Sequence, residues 1–258
     1  MPKTKLVHTK TFCTLRIYLF HNKITNKQFQ SKMNPLRLPD NCQEVKTIHF
    51  VRHAEGLHNV AGRANYENYK LEEYADSLLS ERGYEQCARA KEDIVRRNAL
   101  VGGTLELIVV SPLRRTLQTA SLLFADKIGT SVEFVAVEHV REQTGAHPCD
   151  RRRSITEQKA DFPHVDFSLI EDDVDPLYCK YESVREPSEE VAKRVNAFWH
   201  WIASRKEKNI AVVTHSAYLR HFKWPTSDAS AFANCELRSI VYQFPLPPDF
   251  DGSDVCDE

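Results

Sequence analysis

Four short runs dominated by apolar residues punctuate the chain, separated by amphipathic stretches of helix length. The first is Thr47-Ile-His-Phe-Val51 and the second Leu105-Glu-Leu-Ile-Val-Val110. The third, Ser131 to Val140, alternates Val132, Phe134 and Ala136, and the fourth is Asn209-Ile-Ala-Val-Val-Thr214. Such runs suit strands of a parallel sheet covered on both faces. Between them, Ser80 is placed to cap a helix reaching about Asn98. Ser188 is placed to cap another, whose apolar stripe is Val191, Val195, Phe198, Trp199 and Ile202. By this spacing Trp199 belongs to the core and Trp201 to the helix flank. Strands alternating with helices predict an α/β fold: a doubly wound, mostly parallel sheet with helices on both faces, in a single domain. Residues 144–187 carry Pro148, Pro163, Pro176 and Pro187 with weaker periodicity. They read as an insertion over the active site.

In open α/β sheets, ligands bind at the carboxyl ends of the strands. The first strand is followed by Arg52-His53-Ala54-Glu55-Gly56-Leu57-His58-Asn59, and the second by Ser111-Pro112-Leu113-Arg114-Arg115-Thr116. The third is followed by Arg141-Glu142 and the fourth by His215-Ser216. Singly, each residue has an ordinary reading as a satisfied or solvated polar group. Jointly they bring histidines, arginines and a carboxylate to one edge, where the cations would repel one another unless an anion sat between them. Guanidinium forks match phosphate oxygens, and neutral imidazole is a nucleophile near neutral pH. A phosphate monoester is the simplest anion that accounts for the set.

Composition narrows the field. The chain has 258 residues, 41% hydrophobic and 28% charged, with a formal net charge of -1. That is an ordinary globular mix. The glycines form neither G-x-G-x-x-G nor a P-loop, and there is no G-x-S-x-G. No C-x-x-C or H-E-x-x-H occurs, so neither a metal nor a cofactor is expected. The odd cysteine count, 7, reads as reduced thiols of a cytoplasmic protein. Residues 1–45 read as a basic leader without order, sequence preceding a start at Met33, or an organelle-import signal. Residues 245–258 read as a solvated acidic tail. The apolar stretch from Phe12 to Phe20 is broken by Arg16 and too short to span a bilayer, so no membrane association is expected. The slightly acidic middle region argues against nucleic acid.

Residues 46–244 resemble the histidine phosphatase (phosphoglycerate mutase-like) superfamily. Val51-Arg52-His53-Ala54-Glu55-Gly56 is similar to its R-H-G/A-E motif, and Ser111-Pro112-Leu113-Arg114-Arg115-Thr116 to its second arginine motif. Arg141-Glu142 resembles the acid-bearing segment and Thr214-His215-Ser216 the second-histidine motif. The stretches from His147 to Thr156 and from Phe232 to Ser239 look like the plant and microbial phosphoglycerate mutase-like subfamily. The segment between His215 and Phe232, containing Trp224-Pro225, looks shorter than in that subfamily. The resemblance implies a metal-independent phosphomonoester hydrolase working through a phosphohistidine. His53 would be the nucleophile, its other ring nitrogen donating to a backbone carbonyl. Arg52, Asn59, Arg115 and His215 would hold the phosphoryl group, and Glu142 would carry the proton. By this match Arg115, not Arg114, faces the pocket. The substrate would be a small phosphorylated metabolite or a phosphoprotein. A phosphoglycerate mutase and a catalytically weak phosphate-binding module are the alternatives. Arg151, Arg152 and Arg153 are candidates for substrate specificity, or else a solvated run paired with Asp150 or Glu157. Asp76 reads as a turn residue, and His49 and His58 receive no role.

Overall fold

The computed structural model describes residues 18–20, 44–97, 100, 102–222 and 231–244. Its strands are β1 (Tyr18–Phe20), β2 (Glu44–Arg52), β3 (Leu107–Val110), β4 (Glu133–Ala136), β5 (Val165–Asp166), β6 (Asn209–Thr214) and β7 (Leu237–Phe244). Its helices are α1 (Leu57–Ala64), α2 (Glu81–Arg97), α3 (Arg114–Leu123), α4 (Ile155–Asp161), α5 (Pro176–Tyr181), α6 (Ser188–Ser204) and α7 (Ser216–Arg220). The strands form one sheet in the order β1-β7-β2-β6-β3-β4-β5. All pairings from β2 to β5 are parallel, and β7 is antiparallel to both its neighbours.

The strands are apolar at consecutive positions because both faces are covered. Ile48, Phe50, Leu107, Val109, Ile210 and Val212 enter one core, with Val191, Val195, Phe198, Trp199 and Ile202 of α6. Val51, Ile108, Val110, Ala211 and Val213 enter the other, with Cys87 of α2 and Leu117, Ala120 and Leu123 of α3. This is the period of two expected of a strand. All five residues of the α6 stripe are buried, each such side chain worth roughly 1.5–3 kcal/mol relative to exposure.

Helix α2 starts where Ser80 predicts, its hydroxyl accepting from the Gly83 N–H at 3.1 Å. A Cβ on Gly83 would lie 2.2 Å from the Glu55 carbonyl oxygen, so the bare backbone lets α2 pack on the segment after His53. Ser188 is not a cap: α6 begins at that residue, after Pro187, and no side chain caps it. Proline supplies the entry to the helix instead. The third strand is shorter than expected. It ends at Ala136, paired with Val110, and Glu138–Val140 form a 3-10 turn that buries Val140. β7 was not among the four strands read from periodicity. Tyr18–Phe20, within the leader expected to lack order, pair antiparallel with β7. The rest of the leader through residue 43, the segment with Trp224-Pro225, and the tail 245–258 lie outside the described residues. Among the described residues, no helix is long and apolar enough to cross a membrane.

Candidate active site

Strands β2 and β6 run parallel with Arg52 opposite Thr214, so the next residues, His53 and His215, leave the sheet together. Their ring centroids are 5.1 Å apart. The His53 N–H donates to the Thr214 carbonyl at 2.9 Å. His53 Nδ1 lies 2.7 Å from the Ala54 carbonyl oxygen. A carbonyl only accepts, so Nδ1 carries the proton and Nε2 keeps the lone pair. The segment before β7 braces this turn: the Cys235 N–H reaches the Arg52 and His53 carbonyls, and Asn234 Nδ2 donates to the latter at 3.1 Å. Burial, then Arg115 and Arg52, hold the His53 imidazole well below its usual range. It is therefore neutral near pH 7.

Each companion side chain is fixed by a distinct device. Arg52 Nη1 donates to the Phe232 carbonyl at 2.7 Å, while its buried Nε has no partner. Burial lowers the pKa of this guanidinium, and Glu142 opposes the effect. His215 Nε2 lies 2.8 Å from the Ser111 hydroxyl, and its buried Nδ1 has no partner. Burial and then Arg115 depress the His215 pKa strongly. Glu142 accepts from the backbone N–H groups of Ala217 and Tyr218 at the start of α7, at 3.3 and 3.2 Å. One short helix thus places the carboxylate beside His215.

Arg115 is buried at the start of α3, whereas Arg114 is half-buried, as the roughly 100° between successive helical residues requires. Arg115 donates to the Cys149 carbonyl and, through Nη2, to Asp150 Oδ1 at 2.8 Å, leaving its buried Nε without a partner. The other Asp150 oxygen accepts from Arg185 Nη1 at 2.8 Å. Burial pushes the Asp150 carboxyl up, but Arg115 and Arg185 outweigh it and hold the pKa below the usual value. The segment 144–187 therefore reaches the site through Cys149 and Asp150, and farther on it supplies β5 at the sheet edge.

Asp76 occupies a turn with φ of 39° and does more than turn the chain. Its carboxylate accepts from the Arg114 and Arg153 N–H groups and from Gln158 Nε2, which anchors the start of α3 against the insertion.

Asn59 is engaged at the start of α1. Its Oδ1 accepts from the Gly56 N–H at 3.0 Å, and its Nδ2 lies 3.0 Å from His58 Nε2. It joins the site through His58, whose ring is 5.8 Å from that of His53 and whose buried Nδ1 has no partner. His49 lies instead within β2, bonded to Ser239 and Asn209.

The arginine run is paired throughout, and of the two partners named for it in the sequence Glu157 takes part, facing Arg153. Arg152 is a buried structural clamp: it bonds Glu138 at 2.6 Å and the carbonyls of Asp172, Asp173 and Val174. Arg151 pairs with Glu72, and Arg153 with Asp161 and Glu157. Local charge reveals Glu157 for Arg153 but not the partners of Arg151 and Arg152, which arrive from distant turns. Asp150, the run's expected neighbour, is spoken for by Arg115 and Arg185.

Sequence reasoning passed over His58, Ser111, Asp150 and Arg185 as members of the site. His58 and Ser111 stood in the quoted strand-end segments, so position alone could have flagged them. Arg185 has no such signal. No group of three His, Cys, Asp or Glu side chains among the described residues is placed to hold a metal ion.

An α/β protein with a histidine and two buried or half-buried arginines converging at its strand ends is built to receive an oxyanion. The family follows from comparison. The histidine phosphatase superfamily (branch 1) matches residues 48–242, and the chain belongs to that superfamily. A phosphoglycerate mutase-like protein of Arabidopsis thaliana is 41% identical over 231 residues, 76% of this chain and 84% of that protein. A probable phosphatase of Schizosaccharomyces pombe is 29% identical over 179 residues, 69% of this chain and 77% of that protein. Among solved structures, a phosphoglycerate mutase from Bacillus anthracis is 18% identical with a TM-score of 0.49, covering 78% of this chain and 89% of that one. Members of the superfamily are phosphatases or mutases.

Proposed function

We propose that this protein hydrolyses phosphate monoesters through a phosphohistidine on His53, without a metal. The observation that carries the reading is the His53 ring. Nδ1 is tied to the Ala54 carbonyl, so the Nε2 lone pair is the nucleophile, and the ring stays neutral beside Arg52, Arg115 and His215. Nε2 attacks phosphorus, the P–N bond forms, and the bond to the ester oxygen breaks. Glu142 gives its proton to the departing alcohol, then takes one from the water that cleaves the P–N bond. Arg52 and Arg115 hold the phosphoryl oxygens, and His215 adds a donor, oriented by Ser111. These groups are fixed before the reaction, which is where such donors are most effective. Asn59 acts with His58 at the same pocket.

The substrate on this reading is a small phosphorylated metabolite or a phosphoprotein. Phosphoglycerate mutase activity is the second reading, favoured by the name of the Arabidopsis relative. A panel of phosphomonoesters including 3-phosphoglycerate, assayed with and without 2,3-bisphosphoglycerate and in EDTA, separates the two. Release of inorganic phosphate that survives the chelator is expected. Bisphosphoglycerate-dependent isomerisation without phosphate release would overturn hydrolysis in favour of the mutase.

A further inference from the structure

A chain of ring contacts runs from the nucleophile to the surface. The His58 ring is 5.8 Å from that of His53 and 6.0 Å from that of Tyr69. Tyr69 stacks on His147 at 5.5 Å with 23° between planes. Tyr66 stands edge-on to both, at 5.4 and 5.7 Å, and is 61% exposed. A Cβ on Gly62 would lie 2.1 Å from the Tyr69 ring, so α1 offers bare backbone for that phenol to lie on.

The same rings adjoin the carboxylate that holds one phosphate arginine. His147 Nδ1 is 3.9 Å from Asp150, which holds Arg115. Within the wall, His58 Nδ1 is buried without a partner. Burial depresses the pKa of both His58 and His147, so neither ring is charged near neutral pH. Arg151, Arg152 and Arg153 are paired with Glu72, Glu138 and Asp161. A wall of neutral rings beside a cationic pocket offers stacking and edge contacts, and the cations nearest to it, Lys70 and Arg185, are paired with Glu67 and Asp150.

We infer that Tyr66, Tyr69, His58 and His147 form a leaving-group subsite, selecting phosphate monoesters whose alcohol carries a flat, uncharged ring. The inference rests on the pocket proposed above and adds the class of alcohol. Benzylphosphonate and methylphosphonate test it by calorimetry, since neither is hydrolysed and binding is read without turnover. The wild-type protein should bind the benzyl compound about threefold to tenfold more tightly, the range of one aromatic contact. Tyr66→Ala, a change at an exposed ring, should remove that preference while holding the methylphosphonate Kd within about twofold. Equal affinities in the wild type, or equal losses for both ligands in the variant, would overturn the subsite. Ring-selective binding without hydrolysis of any ester would support the subsite and remove the hydrolase reading. Binding of neither phosphonate would overturn both.

Discussion

Replacing Asp150 by Asn tests whether the insertion sets the reach of the phosphate arginine. Asp150 is 4% exposed and divides its two oxygens between Arg115 and Arg185, each at 2.8 Å. Asparagine keeps one oxygen and loses the charge, leaving two guanidinium groups around a neutral amide. Breaking a buried pair by removing one partner costs about 3–5 kcal/mol. Arg185 is partly exposed, with 31% of its side chain accessible, and can turn to water. The lower end, about 3 kcal/mol, is therefore expected. At roughly 2–4 °C per kcal/mol for a domain of this size, the melting temperature should fall by about 6–12 °C. Turnover should fall as well, because Arg115 loses the bond that aims it. Deleting a fixed donor outright costs about 10²–10³-fold, and a misaimed one should cost about tenfold to a hundredfold. Thermal unfolding and saturation kinetics on p-nitrophenyl phosphate measure the two effects. Wild-type turnover in a folded Asp150→Asn protein would refute the link between this carboxylate and Arg115, whatever the stability change.

Two further outcomes follow from burial. Arg152→Gln should destabilise by about 3–5 kcal/mol, since the side chain is fully buried on Glu138 and four carbonyls. Arg151→Gln, whose pair with Glu72 is 35% and 68% exposed, should change stability by less than about 1 kcal/mol. Neither should move KM for a multiply charged ester, and a selective rise in KM would restore the run as a specificity element. Stability should also fall in mild acid. His53, His58 and His215 have folded pKa values well below the ordinary 6.5, so the unfolded chain binds more protons below that pH. Their contribution is complete above about pH 6.5 and declines as pH falls, by up to roughly 4 kcal/mol per pH unit for three protons. Urea midpoints compared at pH 7.5 and 5.5 check this, and equal midpoints would contradict it.

What was legible in the chain was local. Apolar runs announced β2, β3, β4 and β6 because each is buried on both faces, and the stripe on α6 carried its own period. With the strands placed, the residues at their carboxyl ends followed, which is why Arg52, His53, Arg115, Glu142 and His215 could be proposed together. What escaped depends on distant partners. Asp150 meets Arg115 only after the insertion folds back, and Arg152 finds its carbonyls at Asp172, Asp173 and Val174 for the same reason. A run of like charge gives no local sign of either. β7 mixes Arg238 and Ser239 among its apolar residues, and both are buried. It is antiparallel at the point where the parallel order stops, so the periodicity of the four runs did not extend to it.

The central claim is that the phosphoryl group passes through His53. Its most direct measurement is rapid acid-free quenching of the wild-type protein during turnover of a phosphomonoester, followed by mass spectrometry of the trapped chain. An acid-labile phosphoryl group on His53, absent from a folded His53→Ala protein and retained in Arg114→Ala, is the expected result. A phosphoenzyme that persists in His53→Ala, or a phosphoryl group found on another side chain, would contradict it.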